Sequence, residues 1–162
     1  MSQRADFIAT AQAEIGTKEE PADSNKTKYG KFTGHDGQPW CGSFVMWCAA
    51  QVKVKIPNVV STVAGVSAFQ GTGKWQNPAT ATPAPGDLAF FDFPGGRATD
   101  HVGIVIKDNG DGTVTTVEGN TSDAGSQNNG GAVLQKVRAY RANNKKKLPV
   151  FIMGFGKVTF KD

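Results

Sequence analysis

The segment that decides the fold is WCGSFVMWCAAQ, residues Trp40–Gln51. Its apolar residues recur at positions i, i+3, i+4 and i+7, which is the spacing of one apolar stripe along a helix. The stripe consists of Cys41, Phe44, Val45 and Cys48. The pattern therefore predicts a helix that packs against a core and begins at or beside Cys41.

Cys41 is the most informative residue of this segment. A thiol in the first turn of a helix lies against the positive end of the helix dipole and near unpaired backbone N–H groups, and both favour the thiolate. Cys48 lies about 10.5 Å further along such a helix, too far for a disulfide with Cys41. On the helix pattern alone, Cys41 is either a nucleophile or a small core residue.

Two further helices flank this segment. Ser2–Ile15 has a capping serine and ends before Gly16, and Ser61–Gln70 ends before a Gly-Thr-Gly break. Between the first two helices, Thr17–Pro39 is polar with little periodicity. It is predicted to be a long surface loop, and a loop of that length in a compact domain is usually functional.

The second half of the chain is typical of strands separated by turn-forming residues. The predicted strands are Asp87–Phe93, His101–Asp108, Thr113–Glu118, Ala132–Tyr140 and Val150–Phe160, the last interrupted by glycines. Helices first and hairpin-connected strands afterwards favour an α+β fold with an antiparallel sheet. With 162 residues and 17.1 kDa, the chain is expected to be a single domain.

The composition excludes several classes of protein. Two cysteines cannot build a disulfide framework, and no positively charged start leads into an apolar run, so we expect neither a signal peptide nor a membrane span. No Cys and His spacing fits zinc, and no glycine-rich phosphate loop is present. We expect no metal and no cofactor. Oxygen ligands for calcium exist in the long loop, at Glu19, Glu20, Asp23 and Asn25, but a solvated loop explains them better.

The charge is concentrated at the C-terminal end. Gln135–Asp162 carries eight basic residues and one acidic residue, whereas the first 134 residues carry ten and thirteen. Such a segment is typical either of a solvated surface or of a region that binds a polyanion, and charge alone does not choose between them.

The two histidines are the candidates for the base that a cysteine nucleophile needs. His35 lies in the polar loop, whereas His101 begins an apolar strand that can hold its ring in place. The next hairpin turns within residues 109–112, which are rich in residues that accept a positive φ.

The register of this hairpin decides which polar residues accompany His101. If all four residues 109–112 form the loop, His101 lies opposite Asn120, and Glu118 lies on the same face. A two-residue turn at either end of this stretch also keeps the three residues on one face, whereas an odd-length loop would separate them. A carboxylate and an amide beside an imidazole are what a catalytic histidine requires.

Five segments of the chain resemble the cysteine, histidine-dependent amidohydrolase/peptidase (CHAP) domains of bacteriophage endolysins and bacterial autolysins. They are Asn25–Gly30, Gly37–Phe44, Pro85–Phe91, Asp100–Val105 and Val117–Asn120, in the order of the family. The resemblance extends over most of the chain and implies a papain-like α+β fold, with N-terminal helices packed on an antiparallel sheet. It also implies hydrolysis of an amide bond in peptidoglycan.

The resemblance assigns roles to residues of this chain. Cys41 corresponds to the nucleophile, His101 to the general base and then acid, and Glu118 to the residue that orients His101. Asn120 corresponds to a further polar member of the site. In such a mechanism the backbone N–H of Cys41 stabilises the oxyanion, and the Gln38 side chain is a candidate for the second donor.

The resemblance also implies a substrate groove, with Trp40, Trp75 and Phe91 as candidate walls, although packing in the core is the favoured role for each of these aromatic residues. The expected partner is peptidoglycan, without nucleic acid and without membrane insertion, and no sequence feature indicates an oligomeric state. The family contains both N-acetylmuramoyl-L-alanine amidases and endopeptidases with the same catalytic residues. Two alternatives stay open: a non-catalytic wall-binding module of the same fold, and a cysteine amidase or peptidase with a non-wall substrate.

The resemblance leads to an expectation about where the protein acts. We expect it to be made in the host cytoplasm and to act on the cell wall after release or as part of a virion. Endolysins often attach a separate wall-binding domain, and the basic C-terminal segment is the candidate for wall binding in this chain.

Overall fold

The computed structural model describes residues 2–94 and 99–162. The helices in these ranges are α1 (Gln3–Ala13), α2 (Lys28–Thr33), α3 (Cys41–Val52) and α4 (Thr62–Gly71). The strands are β1 (Trp75–Gln76), β2 (Leu88–Phe91), β3 (His101–Asp108), β4 (Thr113–Thr121), β5 (Ala132–Ala139) and β6 (Ile152–Gly156). The strands form one antiparallel sheet in the order β1-β6-β2-β3-β4-β5, which confirms the predicted α+β fold.

The helices begin where capping residues predict. The Ser2 side chain accepts a hydrogen bond from the first turn of α1, and the Ser61 side chain does the same for α4. α3 begins at Cys41, as predicted. None of the helices in the described ranges is long and apolar enough to cross a membrane.

The prediction of a long loop over Thr17–Pro39 is wrong in one respect, because this segment contains α2. Thr27 caps this helix at its start, and Gly34 ends it in the left-handed conformation with φ 78°. A helix of six residues is too short to show a periodic apolar pattern, so its capping residues were the only sequence signal for it. β1 was missed for the same reason, since two residues show no alternation.

The core has two apolar clusters, and β2 contributes to both. Leu88 and Phe90 join the cluster that includes α1, α3 and α4, whereas Ala89 and Phe91 join the second cluster. All four residues of β2 are buried, which is why its sequence is continuously apolar rather than alternating.

α3 packs closely against neighbouring backbone at two glycines. A Cβ atom at Gly119 of β4 would lie 2.7 Å from Cβ of Phe44, so the bare backbone of β4 allows the helix to approach. In α3 itself, a Cβ atom at Gly42 would overlap the backbone carbonyl of Val59. These contacts fix the position of the first turn of α3 relative to the sheet.

Gly42→Ala is therefore expected to destabilise the protein by about 1–3 kcal/mol, the usual cost of overpacking. Alanine has the higher helix propensity, by about 1 kcal/mol, but the clash with the Val59 backbone outweighs it. Gly71→Ala is the matched control, because the added Cβ at this helical glycine would meet no atom within 4 Å apart from its chain neighbours and the backbone of its own helix. Denaturant unfolding should show a loss for Gly42→Ala and no loss for Gly71→Ala. Equal stability of the two variants would contradict the packing argument.

The β3–β4 hairpin reaches the predicted register by an unpredicted route. Asn109 N–H donates to Thr113 at 3.0 Å, so the loop is only the three residues 110–112, an odd number. A bulge between Val105 and Lys107 then adds one residue to β3. Beyond the bulge Ile104 pairs with Val117, which is the register predicted from a four-residue loop.

Candidate active site

Cys41 is the first residue of α3, and only 4% of its surface is exposed. Trp40 occupies the N-cap position and makes no capping hydrogen bond with its side chain. The first-turn N–H groups beside the thiol are therefore not capped by Trp40. This is the arrangement in which a helix end stabilises negative charge on a sulfur or on an oxygen bound next to it.

Trp40 is fully buried, so its prediction as a groove wall is wrong. Its indole N–H donates to Oε1 of Glu19 at 3.1 Å, and its ring stacks on Tyr29 with 5.5 Å between centroids. The other side of the indole lies against Gly119. Trp40, the residue before Cys41, is thus held between the N-terminal segment and the strand that carries Glu118.

Glu19, which the sequence analysis treated as part of a solvated loop, is instead a buried partner of Trp40. Its carboxylate accepts from Trp40 and from the backbone N–H of Asn25 at 3.2 Å, and only 7% of the residue is exposed. The Glu19 backbone N–H donates to the carbonyl of Gly131. Among the described residues, no three His, Cys, Asp or Glu side chains come together as metal ligands.

His101 is the first residue of β3 and is fully buried. Its Nε2 lies 2.9 Å from Oε1 of Glu118. A carboxylate is an acceptor, so the proton is on Nε2 and the tautomer of the neutral ring is fixed. The rings of Phe91 and Phe93 pack on the imidazole, with centroids at 5.4 and 5.7 Å.

The second ring nitrogen of His101 is available to Cys41. Nδ1 forms no regular hydrogen bond within the described ranges, while Nε2 is occupied by Glu118. Burial by itself lowers the pKa of His101, but the Cys41 thiol and the Glu118 carboxylate act against burial and raise the pKa to about 9. The structure therefore brings Cys41, His101 and Glu118 together, in that order.

Glu118 has both carboxylate oxygens saturated. Oε1 accepts from His101 and from Nη2 of Arg138 at 2.6 Å, and Oε2 accepts from Nε of Arg138 at 2.8 Å and from Oγ1 of Thr116 at 2.5 Å. Burial favours the neutral acid, but the bonds from Arg138 and His101 prevail and lower the pKa of Glu118 to about 2. Glu118 is thus an anion at every pH at which the protein is expected to act.

Asn120 is fully buried, yet its side chain makes no hydrogen bond to His101 or Glu118. Its amide N–H donates to Asn129 at 2.9 Å, and its carbonyl oxygen accepts from Gly131 N–H at 2.9 Å. These bonds hold the loop between β4 and β5. A part for Asn120 in the reaction stays a prediction.

Gln38, Trp75 and Phe91 are the remaining residues predicted for the oxyanion or the substrate groove. Gln38 is exposed on the loop before α3. Trp75 is half-buried on the edge strand β1, where it packs on Phe90 at 5.7 Å. Phe91 contacts the His101 ring but is fully buried. A role for Gln38 or Trp75 toward substrate stays a prediction, whereas the buried ring of Phe91 packs in the core, which was the favoured role for it.

Arg138 and Thr116 were missed by the sequence analysis. In the β4–β5 pairing Glu118 lies opposite Leu134, and Thr116 lies opposite Lys136, so Arg138 shares their face two residues further on. The alternation of Lys136 and Arg138 was the available signal. It could not be used, because the register of β5 depends on the length of the connection after β4 and on the irregularity in β4 between Glu118 and Thr121.

Solved structures with the same fold include Ly7917 and the endolysin LysIME-EF1. The crystal structure of Ly7917 matches with a TM-score of 0.54 and 14% identity, covering 96% of this chain and 62% of that one. The wild type endolysin LysIME-EF1 matches with a TM-score of 0.53 and 13% identity, covering 99% and 66%. Ly7917 has also been solved with the hydrolyzing product of MDP. The chain thus spans less than two thirds of the length of either protein.

At such low identity these structures establish the fold alone. No curated protein has a significantly similar sequence. The family comparison is more specific, because the model of the CHAP domain matches residues 33–120, more than half of the chain. That stretch contains Cys41, His101, Glu118 and Asn120. The chain therefore belongs to the CHAP domain family.

Proposed function

We propose that the protein is a cysteine-dependent hydrolase that cleaves an amide bond of peptidoglycan. The observation that carries the proposal is His101, which connects the Cys41 thiol at the start of α3 with the buried Glu118 carboxylate. Membership in the CHAP family supports a hydrolase. The fold likeness to LysIME-EF1, whose own description is an endolysin, is in keeping with a wall substrate.

The proposed reaction is acyl transfer through the sulfur. His101, as the imidazolium, holds the proton that Cys41 has given up, and the thiolate attacks the carbonyl carbon of the amide. The C–N bond breaks as the imidazolium gives its proton to the leaving amine. His101 then takes a proton from water, whose oxygen attacks the thioester, and the carboxylic acid leaves as the thiol is restored.

The first turn of α3 supplies the electrostatic part of this reaction. The tetrahedral intermediate carries its negative charge on the former carbonyl oxygen, and the backbone N–H of Cys41, in the first turn of α3, is the proposed donor to that oxygen. The Gln38 side chain, three residues before Cys41 on an exposed loop, is the candidate for the second donor. Since His101 and Glu118 are fully buried and Cys41 is not, substrate approaches from the side of the sulfur.

The test is the mass of the fragments released from purified cell walls of known structure. A muramoyl-alanine amidase releases whole stem peptides with a new N-terminal alanine, whereas an endopeptidase leaves new termini within the peptides or cross-bridges. Either result supports the proposal and identifies the bond. Digestion of casein without release of wall fragments would instead assign the site to a non-wall amide, and wall binding without any cleavage would indicate a non-catalytic module.

The rate of hydrolysis is expected to fall as the pH rises through about 9. The pKa of His101 is raised from 6.5 to about 9, so the imidazolium that protonates the leaving amine persists through neutral pH and is lost above that range. Initial rates of wall lysis between pH 6 and 10.5 check this expectation, with circular dichroism at each pH to confirm folding. His35→Gln is the control, because it removes the other histidine and should leave the profile unchanged. A decrease in the wild-type rate centred near pH 6.5 would contradict the expected role of the His101 imidazolium.

A further inference from the structure

Arg138 on β5 is bound to the Glu118 carboxylate through two parallel hydrogen bonds, at 2.8 Å from Nε and 2.6 Å from Nη2. A paired contact of this kind fixes the orientation of a carboxylate as well as its distance. Since Oε1 of Glu118 also bonds to Nε2 of His101, a single oxygen atom joins the guanidinium to the imidazole.

Apart from Glu118, the side chain of Arg138 is surrounded mainly by apolar groups. The guanidinium lies over the rings of Phe91 and Phe93, at 5.4 and 5.2 Å from their centroids, and the same two rings pack on His101. The side chain also borders a cavity of about 80 Å³ whose other lining residues are apolar. Within the described ranges, Glu118 is the carboxylate in ion-pair contact with Arg138.

Glu118 needs such a partner. A carboxyl group with no exposed surface is favoured in its neutral form unless cations or hydrogen-bond donors stabilise the charge. Thr116 gives one neutral bond to Oε2, and His101 gives a bond whose charge changes during the reaction. Arg138 is the one of these donors that carries a permanent positive charge.

We propose that Arg138 is a positioning residue of the active site, which keeps the Glu118 carboxylate ionised and aimed at His101. The inference rests on the proposed function of His101 in hydrolysis. Arg138 acts through Glu118 and not on the substrate or the thiol. The other groups that face Glu118 are His101 and Thr116, while the Lys136 amine on the same strand is bound to the carbonyls of Ser122 and Asp123.

Arg138→Met is expected to lower kcat/KM for wall hydrolysis roughly 10- to 100-fold, by analogy with the loss of an outer partner of a metal-binding histidine. Arg138→Lys keeps the charge but not the paired geometry and should lie between Met and the wild type. Without the guanidinium, the pKa of Glu118 rises toward or above the ordinary value of about 4.3. The rate of the Met variant should therefore decrease at acidic pH, where Glu118 of this variant becomes protonated. Arg141→Met is the matched control, since Arg141 donates to the Ala81 carbonyl and does not contact Glu118.

A double-mutant cycle separates positioning from general stability. If Arg138 acts through Glu118, adding Arg138→Met to Glu118→Gln should change kcat/KM by less than threefold. Losses that multiply in the double variant would overturn the proposal. So would an Arg138→Met profile that keeps the wild-type shape at acidic pH.

An NMR titration of the His101 ring tests the same idea without substrate. The chain has only two histidines, and His35→Gln assigns the signals. Arg138→Met is expected to shift the His101 titration, and the shift should disappear in the Glu118→Gln background. Because this readout needs no hydrolysis, an inactive wild-type protein with the expected shifts would refute the proposed function alone. An unchanged His101 titration would refute the role of Arg138.

Discussion

Cys41→Ala is expected to abolish amide hydrolysis, with a loss on the order of 10⁶-fold, as for other enzymes that lose their nucleophile. No other described thiol can replace the sulfur, because Cys48 is fully buried seven residues further along α3. Hydrolysis is measured as the initial decrease in turbidity of purified walls and as released amine termini. The fold should survive, since the change removes one sulfur atom at the end of a helix.

Cys48→Ala is the matched control for this experiment. The same atom is removed from the same helix, but from the core, so the variant should lose stability and keep its activity. Burial, aided by the nearby Glu14 carboxylate, also raises the pKa of the Cys48 thiol, so iodoacetamide at neutral pH should label Cys41 first. Undiminished lysis by Cys41→Ala would remove Cys41 from the reaction.

His101→Ala is expected to reduce kcat/KM by at least roughly 10²- to 10⁴-fold, the range for loss of a general acid and base. The loss should be large because one ring carries the proton both from Cys41 and to the leaving amine. The turbidity assay used for Cys41→Ala measures the effect. A His101→Ala variant with more than a tenth of the wild-type rate would exclude His101 as the base.

Two further variants distinguish this effect from unfolding. The His101 ring packs against the stacked rings of Phe91 and Phe93 beside a buried carboxylate, so truncation to alanine also costs stability. His101→Gln keeps a donor toward Glu118 and most of the volume, and it should be folded but equally inactive. His35→Ala changes the other histidine, which is half-buried in the loop before α3, and should keep full activity.

The apolar stripe of α3 and the strands after Pro85 were predictable because each element repeats its pattern over enough residues. The proximity of His101 and Glu118 was also predictable, although one assumption was wrong. The loop has an odd length, and the bulge between Val105 and Lys107 compensates for it. A bulge leaves no signal in a strand whose residues are all apolar near that point.

The contacts of Trp40, Glu19 and Arg138 could not be predicted from the sequence. Trp40 lies beside the nucleophile in the chain and was therefore expected in the groove, but its indole is buried by Tyr29 and Gly119. Glu19 lies 21 residues before Trp40, and Arg138 lies 20 residues after Glu118. Such pairs form only after the loops that separate them have closed, and loop closure has no periodic signature.

The bulge in β3 also determines where this hairpin can change its length. Deletion of Ile106 would remove the extra residue, so Val105 and Lys107 would become neighbours and keep their partners Thr116 and Thr115. His101 would then stay on the same side of the ribbon as Glu118. Deletion of one residue between His101 and Val105, by contrast, would move His101 to the opposite side. The stretch between His101 and Val105 therefore has a fixed length, whereas the tip of the ribbon can become longer or shorter.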